Sequence, residues 1–166
     1  PEQPYRATAP WVDFGTALHC AFGTMAALME RQQTGKGQMV TGALLATALT
    51  VNNAALIEQS LIKPDRIPTR NRGQTAAPSD IYKARDGWVL VAVTGQPLYA
   101  RWAKLMGEPH WLTDARFVDD EARGRHGEII SERMGRWCAE RSCDEAIKIL
   151  GEAKIPCAQV LSPQQA

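Results

Sequence analysis

Several common signatures of function are missing from this 166-residue sequence, and each absence removes a class. No charge of one sign dominates, since 19 Lys and Arg stand against 18 Asp and Glu, a net charge of +1. Without a one-signed field, nucleic acid and membrane surfaces are not expected as partners. The four cysteines, Cys20, Cys138, Cys143 and Cys157, form no Cys-x-x-Cys pair and have no histidine at metal-ligand spacing. They read as reduced thiols of a cytoplasmic protein with no metal site. No Gly-x-Ser-x-Gly elbow occurs, so serine-hydrolase chemistry drops out. Thr34-Gly35-Lys36-Gly37 lacks the spacing of a Walker loop and follows a helix instead of a strand, which makes it a helix terminus. There is no internal repeat and no low-complexity tract.

Uninterrupted apolar runs are also lacking. The stretches at 17–29 and 43–57 are broken by His19, Thr24, Thr47, Thr50, Asn52 and Asn53, and read as too short or too polar to cross a bilayer. The opening "PEQPYRATAP" has neither an initial Met nor the basic and apolar regions of a signal peptide. The ending "LSPQQA" stops where Ser162-Pro163 would open another helix. Together these features give the expectation of a piece of a longer polypeptide.

What is present divides the chain in two. Residues 15–33 favour a helix with apolar side chains on nearly every face, the pattern of a helix wrapped on all sides, and Gly35 closes it. After a short extended stretch at 38–40, a second apolar helix is predicted over 42–62 with Thr41 as its cap. Two such helices need burying, and the more polar remainder cannot wrap both, which implies further chain or a partner subunit.

Residues 63–78 carry three prolines, a glycine and four cations with no apolar period, and read as a linker or active-site loop. From 79 the character becomes α+β. A β-hairpin turns at Arg85-Asp86-Gly87, and a helix over 96–106 has Leu98, Trp102, Leu105 and Met106 on one side. A helix over 124–140 follows, with Ile130, Met134, Trp137 and Cys138 inward. Ser142-x-x-Glu145 forms a capping box for the next, and "KIPCAQV" reads as a strand able to join the hairpin.

The candidate chemistry centres on Asp13. It precedes the apolar helix and can act as an N-cap, accepting from the N–H groups of Gly15 and Thr16. The start of a helix also favours negative charge, which suits a carboxylate nucleophile, so the two readings are compatible. His19 reads as a core residue, and His110 and His126 as surface residues. Gly73-Gln74 lies in the proline-bounded loop, where a glycine reports backbone geometry and loops also carry function. Arg66, Arg70 and Arg72 fit a solvated linker, with an anionic ligand as the alternative.

The run "DFGTALHCAFGTMAALMERQQTGKGQMV" closely resembles one found in class III CoA transferases, the carnitine dehydratase and bile-acid-inducible F type, a family that includes α-methylacyl-CoA racemases. The shared features are an aspartate opening the helix, Ala27-Leu28, Arg31, Thr34-Gly35-Lys36-Gly37-Gln38 and Val40. The likeness continues through "DIYKARDGWVLVAV", "ARF" at 115–117 and "IPCAQV".

The resemblance implies an α/β plus α+β fold. Residues 1–62 would be an incomplete helical portion of a Rossmann-like large domain, 63–78 a linker or active-site loop, and 79–166 most of a small α+β domain with a short antiparallel sheet. It implies an interlocked homodimer when intact, no permanently bound cofactor, and coenzyme A entering as an acyl-CoA substrate with a carboxylic acid acceptor as the other partner. It aligns Asp13 with the catalytic aspartate, which works through an aspartyl anhydride and an aspartyl-CoA thioester. It sets Gly73 and Gln74 where related transferases have a glycine-rich loop over the intermediate. This sequence has one glycine there instead of a run, Val12 for a frequent glycine, and Ala158-Gln159 for a frequent Gly-Pro. The alternatives are a racemase, in which the aspartate exchanges protons with an N-terminal histidine, and an inactive structural or dimerising fragment.

Overall fold

The computed structural model describes residues 9–64 and 66–166; the reading of the opening eight residues therefore lies outside the described part. The chain divides into two units, one through Arg66 and one from Ile67.

The first unit is helical: α1 (Trp11–Thr34), α2 (Leu44–Val51) and α3 (Asn53–Ile62). Helix α1 begins four residues earlier than predicted because Pro10 serves as its N-cap, a position where a missing N–H costs nothing. Its end falls where glycine was expected to put it. Gly35 is left-handed at φ 70° and its N–H donates to the Arg31 carbonyl at 2.8 Å. The single helix expected over 42–62 is instead two, parted at Asn52, whose side-chain amide donates to the Ala48 carbonyl at 2.9 Å. Asparagine competes with the helical ladder in this way. Thr41 is not the cap, since Ala43 holds that position without a side-chain bond.

Within this chain α1 is left uncovered, in line with the expectation that the more polar remainder does not wrap both apolar helices. No residue of α1 is buried, and Leu18 and Phe22 are 71% and 80% exposed. By length and composition α1 could also cross a membrane, contrary to the reading from its interrupting polar residues.

The second unit holds the hydrophobic core. Strands β1 (Ser79–Lys83), β2 (Trp88–Ala92) and β3 (Cys157–Gln159) form an antiparallel sheet in the order β1-β2-β3, with Ile81 opposite Leu90 and Leu90 opposite Ala158. The predicted hairpin and the strand from "IPCAQV" are both there. Alternation places Val89 and Val91 inward while Trp88 and Leu90 face out. Helices α4 (Gln96–Leu105), α5 (Asp120–Arg125), α6 (Gly127–Ala139) and α7 (Cys143–Glu152) complete the unit, with 3-10 turns at Pro109–Leu112 and Ala115–Phe117.

The helix expected over 124–140 is broken at His126, which lies between Gly124 and Gly127, two residues of low helix propensity. Its inward residues are as predicted: Ile130, Met134, Trp137 and Cys138 are all buried. They meet Tyr99, Trp102 and Met106 of the α4 segment, together with Trp111 and Phe117 from the 3-10 turns. The Trp102 indole N–H donates to Met134 Sδ at 3.2 Å within this core. The capping box is complete, with Ser142 accepting from the Glu145 N–H and Glu145 accepting from the Ser142 N–H.

Among the described residues one charged side chain is buried with the core. Arg123, 1% exposed, pairs with Asp120 at 2.5 Å, donates to Gln96 Oε1 and the Phe117 carbonyl, and stacks over Tyr99. Asp120 also accepts from the Gly95 N–H at 2.7 Å, tying the turn after β2 to α5. The cysteines are free thiols. Burial pushes the Cys138 thiol up to about 12 and raises Cys143 and Cys157 as well.

Candidate active site

In the first unit Asp13 is the third residue of α1 and is exposed. It does not cap the helix, because Pro10 does. The Phe14 N–H donates to the Pro10 carbonyl at 3.1 Å, which draws Asp13 into the first turn. It lies in the first turn, where the helix dipole favours an anion. Among the described residues no side chain pairs with its carboxylate.

The segment behind Asp13 is fixed by close helix contacts. Thr16 Oγ1 donates to Thr47 Oγ1 at 2.8 Å, and the Thr47 hydroxyl donates to the Ala43 carbonyl at 3.4 Å. The Val12 carbonyl lies 2.8 Å from Thr16 Oγ1 as well. Thr47 is the one buried residue of α2. Glycine permits this approach: a Cβ on Gly15 would come within 3.0 Å of Thr47, and one on Gly42 within 2.4 Å of Cys20 Sγ. Beside this contact is a cavity of about 230 Å³ lined by Thr16, His19, Thr41, Thr47 and Thr50 among others. His19, expected in a core, is exposed because nothing in this chain covers its side of α1, and it stands at the cavity with Thr41, Thr47 and Thr50. Asp13 is not among the lining residues.

The "TGKGQ" stretch is built as a helix exit. Thr34 donates to the Glu30 carbonyl at 3.0 Å, the Lys36 N–H donates to Thr34 Oγ1 at 3.3 Å, and the Gln38 amide donates to Glu30 at 2.5 Å. Thr34, Gly35, Lys36 and Gln38 thus shape the chain's exit from α1.

In the second unit the proline-bounded loop is docked and ordered by its own bonds. Gly73 is not left-handed; its N–H donates to the Ser79 carbonyl at 2.6 Å, and a Cβ there would sit 2.9 Å from Ser79 Cβ. The Gln74 amide donates to the Ile67 carbonyl at 2.8 Å and to Thr69 Oγ1 at 3.3 Å. Thr69 donates to the Arg72 carbonyl at 2.6 Å. Residues 76–78 are buried beneath. Arg72, largely enclosed, reaches the Gly124 carbonyl and is not a solvated linker cation, while Arg66 stays exposed and pairs with Glu58 inside the first unit. His110 and His126 are exposed, as expected, with edge contacts to Trp111 and Phe117.

A helix that presents a carboxylate in its first turn, followed by a small α+β unit carrying a tied loop, places the chain in one structural class. Over 98% of its length it matches a hypothetical protein from Mycobacterium tuberculosis with a TM-score of 0.76 at 19% identity, covering 43% of that protein. Over 99% of its length it likewise matches a CaiB/BaiF family protein from Brucella suis with a TM-score of 0.68 at 21% identity, again covering 43% of that protein. These likenesses establish the fold as that of class III CoA-transferase proteins.

The chain belongs to CoA-transferase family III, whose model matches residues 1–166. Among curated relatives, a succinyl-CoA–D-citramalate CoA-transferase from Chloroflexus aurantiacus is 28% identical over 150 residues, which is 90% of this chain and 37% of that one. A formyl-CoA:oxalate CoA-transferase from Rhodopseudomonas palustris is 28% identical over 176 residues, 92% of this chain and 41% of that one. The chain therefore spans about two fifths of the length of these relatives.

Proposed function

We propose that the intact protein moves CoA between an acyl-CoA thioester and a carboxylic acid, with Asp13 as the nucleophile. The observation that carries the reading is the exposed Asp13 carboxylate, without a side-chain partner among the described residues, in the first turn of a helix fixed from behind by the Thr16–Thr47 contact. The names of the relatives support the reaction class.

In this mechanism the Asp13 carboxylate attacks the thioester carbonyl and expels CoA thiolate, leaving a mixed anhydride. The thiolate then attacks the aspartyl carbonyl, releasing the donor acid and forming an aspartyl-CoA thioester. The acceptor carboxylate attacks that carbonyl and expels the thiolate again. The thiolate finally takes the acceptor's acyl carbon and frees Asp13. Two covalent intermediates thereby replace one difficult exchange between a thioester and a weak carboxylate nucleophile. The tied loop at Gly73-Gln74 is proposed to limit attack by water on these intermediates.

The same reading makes α1 a scaffold helix covered by protein, in an interlocked homodimer in the cytoplasm, and not a membrane span. Its close contacts with Thr47, Val40 and Gly42 support a packed role.

Hydroxylamine trapping tests the mechanism. The full-length protein incubated with acyl-CoA should yield a hydroxamate at Asp13, and Asp13→Ala should yield none. Exchange of α-deuterium in an acyl-CoA without any acceptor acid, and without trapping, would replace this reading with proton transfer.

A further inference from the structure

The loop that carries Gly73 and Gln74 rests on a glycine of α5, fifty residues away in sequence. A Cβ on Gly124 would lie 2.1 Å from the Gln74 carbonyl oxygen, 2.7 Å from its carbon and 3.1 Å from Thr75 Cα. All three are backbone atoms, so no rotamer change relieves the overlap. Three residues on, a Cβ at Gly127 would meet the Arg72 guanidinium at 2.8 Å, which a flexible side chain can vacate. Gly124 is buried. Its conformation is ordinary right-handed helix, so backbone freedom gives no reason for glycine there. Alanine would strengthen a free helix by up to about 1 kcal/mol. What the position requires is the absence of a side chain beneath the loop.

We propose that Gly124 is a positioning residue for the proposed transfer reaction: it is the floor on which the Gln74-Thr75 backbone lies, and so sets the height at which the water-excluding loop is held within the second unit. The inference rests on the transferase reading. Raising the loop admits water to the aspartyl anhydride or thioester. Water then forms the new C–O bond, the acyl or thiolate group leaves, and Asp13 is restored; the net reaction is acyl-CoA plus water giving free acid plus CoA thiol, with no redox change.

The test uses Gly124→Ala in the full-length protein, with Gly127→Ala as a graded comparison. Gly151→Ala, where a Cβ would meet nothing within 4 Å, is the control. Two readouts are taken: tryptic cleavage after Arg70 and Arg72, and the ratio of acyl-CoA hydrolysis to CoA transfer. Gly124→Ala should speed cleavage and move the ratio toward hydrolysis by about 10- to 100-fold, the scale of a misplacement near 1 Å. Gly127→Ala should do so weakly and Gly151→Ala not at all.

Unchanged cleavage overturns the floor. Faster cleavage with an unchanged ratio overturns its link to water exclusion while leaving the transferase reading intact. A wild-type protein that transfers no CoA sinks the transferase reading by itself, and the proteolysis still decides the floor. If Gly124→Ala fails to fold, Thr69→Ala adds no volume and removes the loop's internal tie. An unchanged ratio in that variant also overturns the proposal.

Discussion

At the scale of single residues, the second unit's buried polar groups carry sharp consequences. Arg123 is enclosed with its partners, and removing one side of a buried pair leaves the other uncompensated. Arg123→Met should destabilise the second unit by about 3 kcal/mol, a figure tempered by Asp120 being partly exposed. Hydrogen exchange should show protection lost first where Asp120 holds Gly95. Met134→Leu conserves volume, which alone costs under about 1.5 kcal/mol, but it strands the Trp102 N–H in the core. The expected loss is about 1–3 kcal/mol, measured by denaturant midpoint against Met134→Leu paired with Trp102→Phe, which should recover part of it. At the surface, Arg116 donates side-chain and backbone hydrogen bonds to Asp114 and holds its carboxyl down at about 2. A depressed carboxyl contributes stability above its unfolded value of about 3.9, lost as pH falls toward the folded one. An NMR titration should therefore place the Asp114 midpoint near 2, and Asp114→Asn should flatten stability between about pH 4 and pH 2.

At the scale of elements, what the sequence made legible was whatever is decided locally. Asp86-Gly87 announced the hairpin, and Ser142 with Glu145 announced the start of α7, since both signals act within four residues. Ser142→Ala should cost about 1 kcal/mol, with amide exchange accelerated in the first turn of α7 alone. The misplaced boundaries have equally physical causes. Asn52 divides α2 from α3 through a side-chain bond to Ala48, and the break at His126 accompanies the packing of the 67–78 loop against Gly124, a contact no local pattern encodes. Asp13 stood out because a distinctive run follows it, yet its place in the helix was misjudged: proline, which usually punctuates a chain, here begins the helix. The docking of Gln74 onto α5 was beyond sequence reasoning because it depends on a missing side chain in a distant element.

At the scale of the molecule, the two units differ in what they bury. Apart from Thr47, the fully buried residues belong to the second unit among those described. A unit with its own core folds alone, so residues 67–166 produced separately should give a dispersed amide NMR spectrum and a cooperative thermal transition. Residues 9–66 alone should give neither, because helices without tertiary burial are marginal in water.

The distribution of the thiols follows the same division. Cys138, Cys143 and Cys157 lie in the second unit, where burial suppresses the thiolate, while Cys20 sits half-exposed on α1 against Gly42. Reactivity tracks thiolate content and access, so a limiting dose of maleimide should tag Cys20 before the other three. The protein thus carries its own chemical clock. The rate at which Cys20 takes up label, followed by mass spectrometry, times how often α1 lifts from the segment at Gly42, seven residues along the helix from the carboxylate.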